Sequence, residues 1–349
     1  MQQQRYNLNL FLIKNRNILG YILDRHLYYW YFYSTQPKTT NRMKHVVIVG
    51  GTGFIGRHLV NSLKNDWQVT VLSRNPEKNK ALFDSSVHLA KLDAQNQEML
   101  VPLLEQTYAV INLAGENVGS RWTKAKKEAI RNSRLDTDHL IVHAVLMCKQ
   151  KPAVVIQGSG MGVYGFETTD KAITEKSPLG TKGFLTEVGI AHEEALKPIE
   201  DLTRVVYLRT GLVLHGTEGS LPQMAATFKM FLGGPMGSGR QWTSWIHIKD
   251  EVRAIRFLME NEKASGPFNL TAPHPVRNSD FSAALGKAMH RPVWLGTPAA
   301  FLRLVMKDMA DELLLEGLNI IPERLLEEGF RFEFGYIEEA FRDLYSKRS

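Results

Sequence analysis

The sequence predicts an α/β fold built on an open, doubly wound parallel sheet, with a small, mostly helical C-terminal lobe. Three observations carry that expectation. Short apolar, β-branched runs recur at His45–Val49, Gln68–Leu72, Ala109–Leu113 and Ala153–Gln157, with helical segments between them. Such runs are the pattern of strands covered on both faces and joined by crossover helices. The first run passes through Gly50-Gly51-Thr52-Gly53-Phe54-Ile55-Gly56 straight into a helix whose apolar face carries Leu59 and Leu63. Beyond residue 270 the alternation gives way to amphipathic helical pieces.

With 349 residues, 44% of them hydrophobic and 23% charged, the chain has the balance of a globular protein. Its one cysteine, Cys148, excludes a cystine framework and a Cys-based metal site, and fits a reducing compartment. No metal-ligand spacing is legible. The net charge of +7 is uneven: residues 1–43 hold six Lys and Arg against the single acid Asp24, leaving +2 for the rest. A nearly balanced body gives no electrostatic reason to expect a nucleic-acid partner. The extension 1–43 reads as a basic, acid-poor targeting segment, as an unstructured extension, or as an upstream start ahead of Met43. The expected compartment is accordingly cytoplasmic or mitochondrial. Lys14, Arg16, Asp24 and Arg25 interrupt its apolar runs well before the roughly 18 residues a membrane span needs.

The glycine turn has a specific physical reading. Gly50 and Gly53 let the chain turn tightly and approach a pyrophosphate, Gly56 lets the helix pack closely on the strand, and the helix N-terminus offers N–H groups to phosphates. This predicts a Rossmann-type dinucleotide site that includes Gly51, Thr52, Phe54 and Ile55. The second strand ends in Ser73-Arg74 about 20 residues later, where NAD enzymes place an acid on the ribose. A cation there favours the 2′-phosphate of NADP, with Ser73 as a hydroxyl donor; the bland reading of Arg74 is a loop cap. A third strand near Ser86–Leu89 leads to Leu92 and Asp93, expected beside the adenine. The fourth leads to Leu113, Ala114, Gly115 and Glu116, expected near the cofactor ribose. A basic helix, Trp122 to Lys149, follows, and its Arg134 joins the expected cofactor set.

GGTGFIG after the first strand, NLAG after the fourth, GVYG after the fifth and WIHIKDEVRAI later resemble extended or atypical short-chain dehydrogenases/reductases of the NAD(P)-dependent epimerase type. More narrowly, ENVGSRWTKAKKEAIRNSRLDTDHLI, GGPMGSGRQWTSWIHIKD and the tail from Arg291 to Phe330 are similar to the epimerase-like branch labelled cell-division-inhibitor-like. The likeness covers almost all of residues 44–345. It implies a Ser or Thr after the fifth strand and a Tyr-x-x-x-Lys on the next helix, with the Tyr handling the proton. Here Gly160 falls on the Ser/Thr position, with Ser159 one residue early, and Leu185 and Gly189 fall on the Tyr and Lys positions. The catalytic residues are thus unassigned. Tyr164, Ser159 and His192 are the weak candidates; Lys182 and Glu187 read as solvated.

The second half reads as the substrate side. Val205–Leu214 is expected as a sixth strand whose end, by resemblance, passes the nicotinamide near Leu212 and Val213. Gly233–Trp242 combines flexible glycines with Arg240 and Gln241, able to clamp an anionic or sugar-like ligand; with Tyr164 and Gly237 they form the expected substrate set. The alternative is a connection that merely orders Trp245–Ile248 as another parallel strand, with His247 structural. Helical pieces at 298–306, 311–316 and 322–326 form the lobe over the cleft. The expected division is therefore 1–43 as extension, 44–270 as NADP-binding domain with substrate-side insertions, and 271–349 as C-terminal lobe. Two functions follow: an NADP(H)-dependent epimerase-like oxidoreductase acting on a small carbonyl, alcohol or sugar-like molecule, or a catalytically silent NADP-binding sensor or interaction protein. The sequence sets no oligomeric state.

Overall fold

Alternate residues of one central strand supply the two halves of the core. Strand β1 (His45–Val49) turns Val46 and Ile48 into one apolar cluster and Val47 and Val49 into another, all of them buried. The first cluster gathers Leu59, Val60 and Leu63 of α1 (Phe54–Leu63), and the second gathers Leu140, Ile141 and Val145 of α2 (Lys124–Met147). Helices on opposite faces of one sheet are the reason its strands read as unbroken apolar runs. The computed structural model describes residues 43–93 and 97–345. The expectations placed on the extension, apart from Met43, fall outside the described residues.

The sheet has seven parallel strands. β2 (Gln68–Ser73) and β3 (Val87–Lys91) lie to one side of β1; β4 (Ala109–Asn112), β5 (Val154–Gly160), β7 (Arg204–Thr210) and β11 (Gly266–Leu270) lie to the other. The order β11-β7-β5-β4-β1-β2-β3 reverses direction between β1 and β4, where Val46 pairs with both Val69 and Ala109. A crevice opens at such a switch point, outside the carboxyl ends of the strands.

Two expected elements have different bounds. The basic helix starts at Lys124 because Thr123 caps it, its hydroxyl accepting from the Lys126 N–H at 3.1 Å, and it ends at Met147. The sixth strand is not continuous: β7 stops at Thr210, and Leu212–Leu214 (β8) leaves the sheet to pair in parallel with Trp245–His247 (β10). Gly211 is the pivot. Its N–H donates to Leu270 O at 3.0 Å, whereas the next N–H, of Leu212, donates to Ser244 O at 2.9 Å, and a Cβ at Gly211 would lie 2.6 Å from that same oxygen. Trp245–His247 is thus a parallel strand, but one outside the main sheet. Ile248 already belongs to α5 (Ile248–Glu260), capped by His247, whose Nδ1 accepts from the Lys249 N–H.

Elements on either side of residue 270 interleave. β6 (Thr169–Ile173) pairs in parallel with β13 (Leu318–Ile320), and β9 (Trp242–Thr243) pairs antiparallel with β12 (Val276–Arg277). The helical pieces are α3 (Phe184–Glu194), α4 (Leu221–Lys229), α6 (Asn278–Met289), α7 (Ala299–Met306), α8 (Glu323–Glu327) and α9 (Ile337–Tyr345), with a π-helical turn at Asp311–Leu315. Phe281 of α6 meets Phe341 of α9 edge-on at 5.0 Å, in the same apolar cluster as Trp245. No helix among the described residues is long and apolar enough to cross a membrane.

Candidate functional site

The crevice at the switch point is built from backbone laid against backbone. Gly50 has φ +78, and a Cβ there would lie 2.6 Å from Ala114 N and from Leu113 C, so the ends of β1 and β4 meet only because residue 50 has no side chain. A Cβ at Gly56 would lie 2.4 Å from Gly50 O, which seats the first turn of α1 on the glycine turn. Gly53 N–H closes the turn on Gly50 O at 3.0 Å, and Arg57 N–H is the first to return to Gly53 O. The N–H groups of Phe54, Ile55 and Gly56 are therefore at the open end of the helix. An open helix end of this kind suits phosphate oxygens, and its geometry fits a dinucleotide pyrophosphate.

The rim of the crevice carries charge. Ser73 ends β2 and Arg74 follows it; Leu92 N–H donates to Ser73 O at 2.9 Å, which sets Leu92 and Asp93 beside them. The Ser73 hydroxyl is buried and accepts from Asn75 N–H at 3.2 Å and Asn79 Nδ2 at 2.8 Å, so its oxygen shapes the turn, while Arg74 is exposed. Asp93 pairs with Lys91 at 3.3 Å. Across the crevice Arg134 is half-buried, donates to Ile130 O at 2.9 Å and Glu116 O at 3.3 Å, and passes where a Cβ at Gly115 would stand 2.9 Å from its Cζ. Glu116 is held below the usual carboxylate range by the Lys126 ammonium, with Arg74 and Arg134 adding to it. The fold thus brings Arg74, Glu116 and Arg134 into one electrostatic neighbourhood.

At the ends of β5 and β7 the three catalytic candidates are bonded into the protein. His192 is buried, with Nδ1 2.5 Å from Asp138 Oδ2 and Nε2 2.9 Å from Gly158 O. Asp138 Oδ1 also accepts from Asn112 Nδ2 at 3.1 Å and Gln157 Nε2 at 2.8 Å, a network that ties α2, β4, β5 and α3 together. The Ser159 hydroxyl donates to Glu193 Oε1 at 2.8 Å. Glu193 in turn takes two bonds from Arg209, Nε at 3.0 Å and Nη2 at 2.7 Å. Arg209 Nη1 donates to the Tyr164 hydroxyl at 2.9 Å, and that hydroxyl donates to Asn269 Oδ1 at 2.7 Å. Burial pushes the Tyr164 phenol up to about 12. Leu185 packs in an apolar cluster with Trp122 and Val188, and a Cβ at Gly189 would stand 2.7 Å from Val163 Cγ1, so α3 crosses the 161–164 turn where a lysine side chain has no room. Lys182 and Glu187 are exposed.

On the expected substrate side, Gln241 is buried and its Nε2 donates to Met236 O at 2.9 Å and Leu314 O at 2.7 Å, while its Oε1 is buried without a partner. Gly237 has φ +57 and approaches Leu315; Arg240 is exposed. Tyr164 reaches the same stretch of chain from the other side, through Asn269 Nδ2 to Ile321 O at 3.0 Å. The segment 314–321 therefore lies between the two parts of the expected set. A buried acid went unremarked in the sequence: Glu251 of α5 accepts from Thr210 Oγ1 at 3.0 Å, its other oxygen has no partner, and burial pushes it up to about 8. Only its place two residues after Lys249 in a helix marks it, which says nothing of burial.

Comparison with known proteins accords with this geometry. Residues 46–271 match the model of the NAD dependent epimerase/dehydratase family, and residues 297–344 match that of a domain of unknown function, DUF1731. The chain is 35% identical over 306 residues to the epimerase family protein YfhF of Bacillus subtilis, covering 87% of this chain and 98% of that one. It is 36% identical over 304 residues to an epimerase family protein of Staphylococcus haemolyticus, covering 86% and 99%. Among solved structures, the human epimerase family protein SDR39U1 (isoform 2) with NADPH superposes with a TM-score of 0.77 at 30% identity, covering 86% of this chain and 99% of that one. A Thermus thermophilus UDP-glucose 4-epimerase in complex with NAD, at 16% identity and a TM-score of 0.68 over 87% and 98%, shares the fold. With a family model spanning most of the sheet and relatives matched along nearly their whole length, the chain belongs to the NAD dependent epimerase/dehydratase family.

Proposed function

We propose that the chain binds NADP(H) in the crevice between β1 and β4 and works as an epimerase-like oxidoreductase on a small carbonyl, alcohol or sugar-like substrate, without a Tyr-x-x-x-Lys pair. The backbone crowding at Gly50 and Gly56 carries the cofactor half, because only a side-chain-free turn leaves the α1 N-terminus open to phosphate. Arg74 then meets the 2′-phosphate. Leu92 and Asp93 flank the adenine, Leu113 to Glu116 and Arg134 line the ribose side, and Leu212 and Val213 lie by the nicotinamide. The human relative that was crystallised with NADPH supports the choice of dinucleotide. When bound, the nicotinamide supplies or accepts hydride; the chain's part is to orient the substrate, with Arg240 and the Gly237 turn as its clamp.

A silent NADP-binding protein on the same scaffold is the second reading. The observation favouring it is that Ser159, Tyr164 and His192 spend their polar atoms on Glu193, Arg209, Asn269, Asp138 and Gly158. Calorimetric titration tests the cofactor. NADPH binds more tightly than NADH, and Arg74→Ala weakens NADPH by about tenfold or more, the worth of a charge-assisted hydrogen bond; equal affinity for the two, or an indifferent Arg74→Ala, removes the 2′-phosphate assignment. Stopped-flow absorbance of the NADPH complex against aldehydes, ketones and quinones then separates the two readings: saturable oxidation is an enzyme, and tight binding without turnover is a sensor.

A further inference from the structure

Away from the catalytic candidates, two imidazoles and a carboxylate from distant parts of the chain converge on one point. His58 lies on α1, while His215 and Glu218 lie on the loop between β8 and α4. His58 Nε2 stands 3.0 Å from Glu218 Oε2, and His215 Nδ1 stands 3.8 Å from that same oxygen. All three ligand atoms lie within 4.8 Å of one another. In a tetrahedral zinc site with bonds of about 2.0–2.1 Å, neighbouring ligand atoms are about 3.3 Å apart, so the two separations to Glu218 straddle the required value.

The surroundings hold these side chains in place. Arg57 Nη2 donates to Glu218 Oε1 at 2.5 Å, which leaves Oε2 as the oxygen turned to both imidazoles. The Phe54 ring packs 5.7 Å from the His58 ring and 5.6 Å from the His215 ring, and the two imidazoles lie 4.8 Å apart. The side chains keep 34%, 23% and 27% of their surface for His58, His215 and Glu218, so a fourth position is open to solvent.

We propose that His58, His215 and Glu218 form a divalent transition-metal site, with zinc the expected ion and water in the fourth position. Two imidazole nitrogens and one carboxylate oxygen suit zinc; calcium and magnesium require oxygen ligands throughout. Arg57 is a positioning residue of the outer shell, orienting the carboxylate as such partners do. The ion staples the 215–218 loop to α1.

The test is titration of untagged, chelator-stripped full-length protein with zinc sulfate in competition with a chromogenic chelator. One equivalent binds at micromolar affinity or tighter. His58→Ala, His215→Ala and Glu218→Gln each weaken binding by about tenfold or more, while His139→Ala, on the exposed face of α2, leaves it unchanged. Circular dichroism checks the fold of each variant. Cobalt loading of the wild-type protein gives an independent reading through the intense visible bands of a tetrahedral site. No saturable uptake, uptake that survives loss of both His58 and His215, or an octahedral cobalt spectrum overturns the proposal and leaves the cluster an Arg57–Glu218–His58 ion-pair network.

Discussion

Arg209 reaches both ways from the end of β7: Nε and Nη2 hold the Glu193 carboxylate, and Nη1 holds the Tyr164 hydroxyl at 2.9 Å with the guanidinium 4.9 Å over the phenol ring. Because the Tyr164 hydroxyl itself donates to Asn269 Oδ1, the pair locks β7, β11 and the turn after β5 into one arrangement. Breaking it from the arginine side leaves a buried carboxylate uncompensated. Arg209→Met is expected to cost about 3–5 kcal/mol of stability, read as a shift in the urea midpoint. A loss within 1 kcal/mol, on the order of an exposed ion pair, argues against this account.

The tyrosine itself is a smaller part. Tyr164→Phe keeps the ring and removes one hydroxyl, leaving Arg209 Nη1 and Asn269 Oδ1 short of a partner, at a cost of about 1–3 kcal/mol. Its phenol, pushed up by burial, is a poor proton donor near neutrality. If turnover is found, it is expected to survive this substitution at the same order of magnitude, whereas loss of a general acid costs about a hundredfold or more.

Gly50→Ala places a Cβ onto the backbone of Leu113 and Ala114 at a positive φ. The clash is with main chain, which has nowhere to yield. Dinucleotide binding by calorimetry is expected to vanish or the protein to fail to fold; retained wild-type affinity contradicts the close approach of β1 and β4.

Glu251 makes stability depend on pH in a definite direction. Its folded-state pKa, about 8, lies above the ordinary glutamate value of 4.5. Below 4.5 the group is protonated in both states and costs nothing. As pH rises from about 4.5 toward 8 the unfolded chain ionises and the folded one does not, so stability falls, by up to ~1.4 kcal/mol per pH unit. Glu251→Gln removes this term. The difference in unfolding free energy, variant minus wild type, should grow from pH 5 to pH 8 in denaturant titrations; a flat difference shows that Glu251 is ionised or solvated in the fold.

Cys148 is buried at the end of α2, with its thiol pushed up to about 11 by burial. A thiol-specific disulfide reagent should therefore leave the native protein unlabelled at pH 8 and label one equivalent after denaturation. Rapid labelling of the native state shows that this end of the helix opens.

The strands and the glycine turn were legible because their signals are local. Five residues of β-branched sequence report burial on both faces, and a glycine forced to positive φ sits next to the strand it terminates. Bounds failed where a distant group decided them: Gly211 ends β7 because Ser244 offers an acceptor to Leu212, and no pattern within 205–214 announces that. The pairing of β6 with β13 was invisible for the same reason, since β6 is mostly polar and β13 only three residues long, and neither can be read without its partner. Ser159, Tyr164 and His192 were legible as polar residues near the strand ends, but their partners were not.

By itself the sequence determined the α/β class, the parallel sheet and the glycine turn at Gly50–Gly56, since each is a matter of residue type and short-range spacing. Tertiary structure alone decided what the polar residues do. It joined Ser159, Glu193, Arg209, Tyr164 and Asn269 into one chain of bonds, sealed Glu251 from water, and set His58 against Glu218 across 160 positions. Strand order and loop path fix which distant side chains share a low-dielectric space, and it is that sharing, more than residue identity, that sets their protonation and their partners.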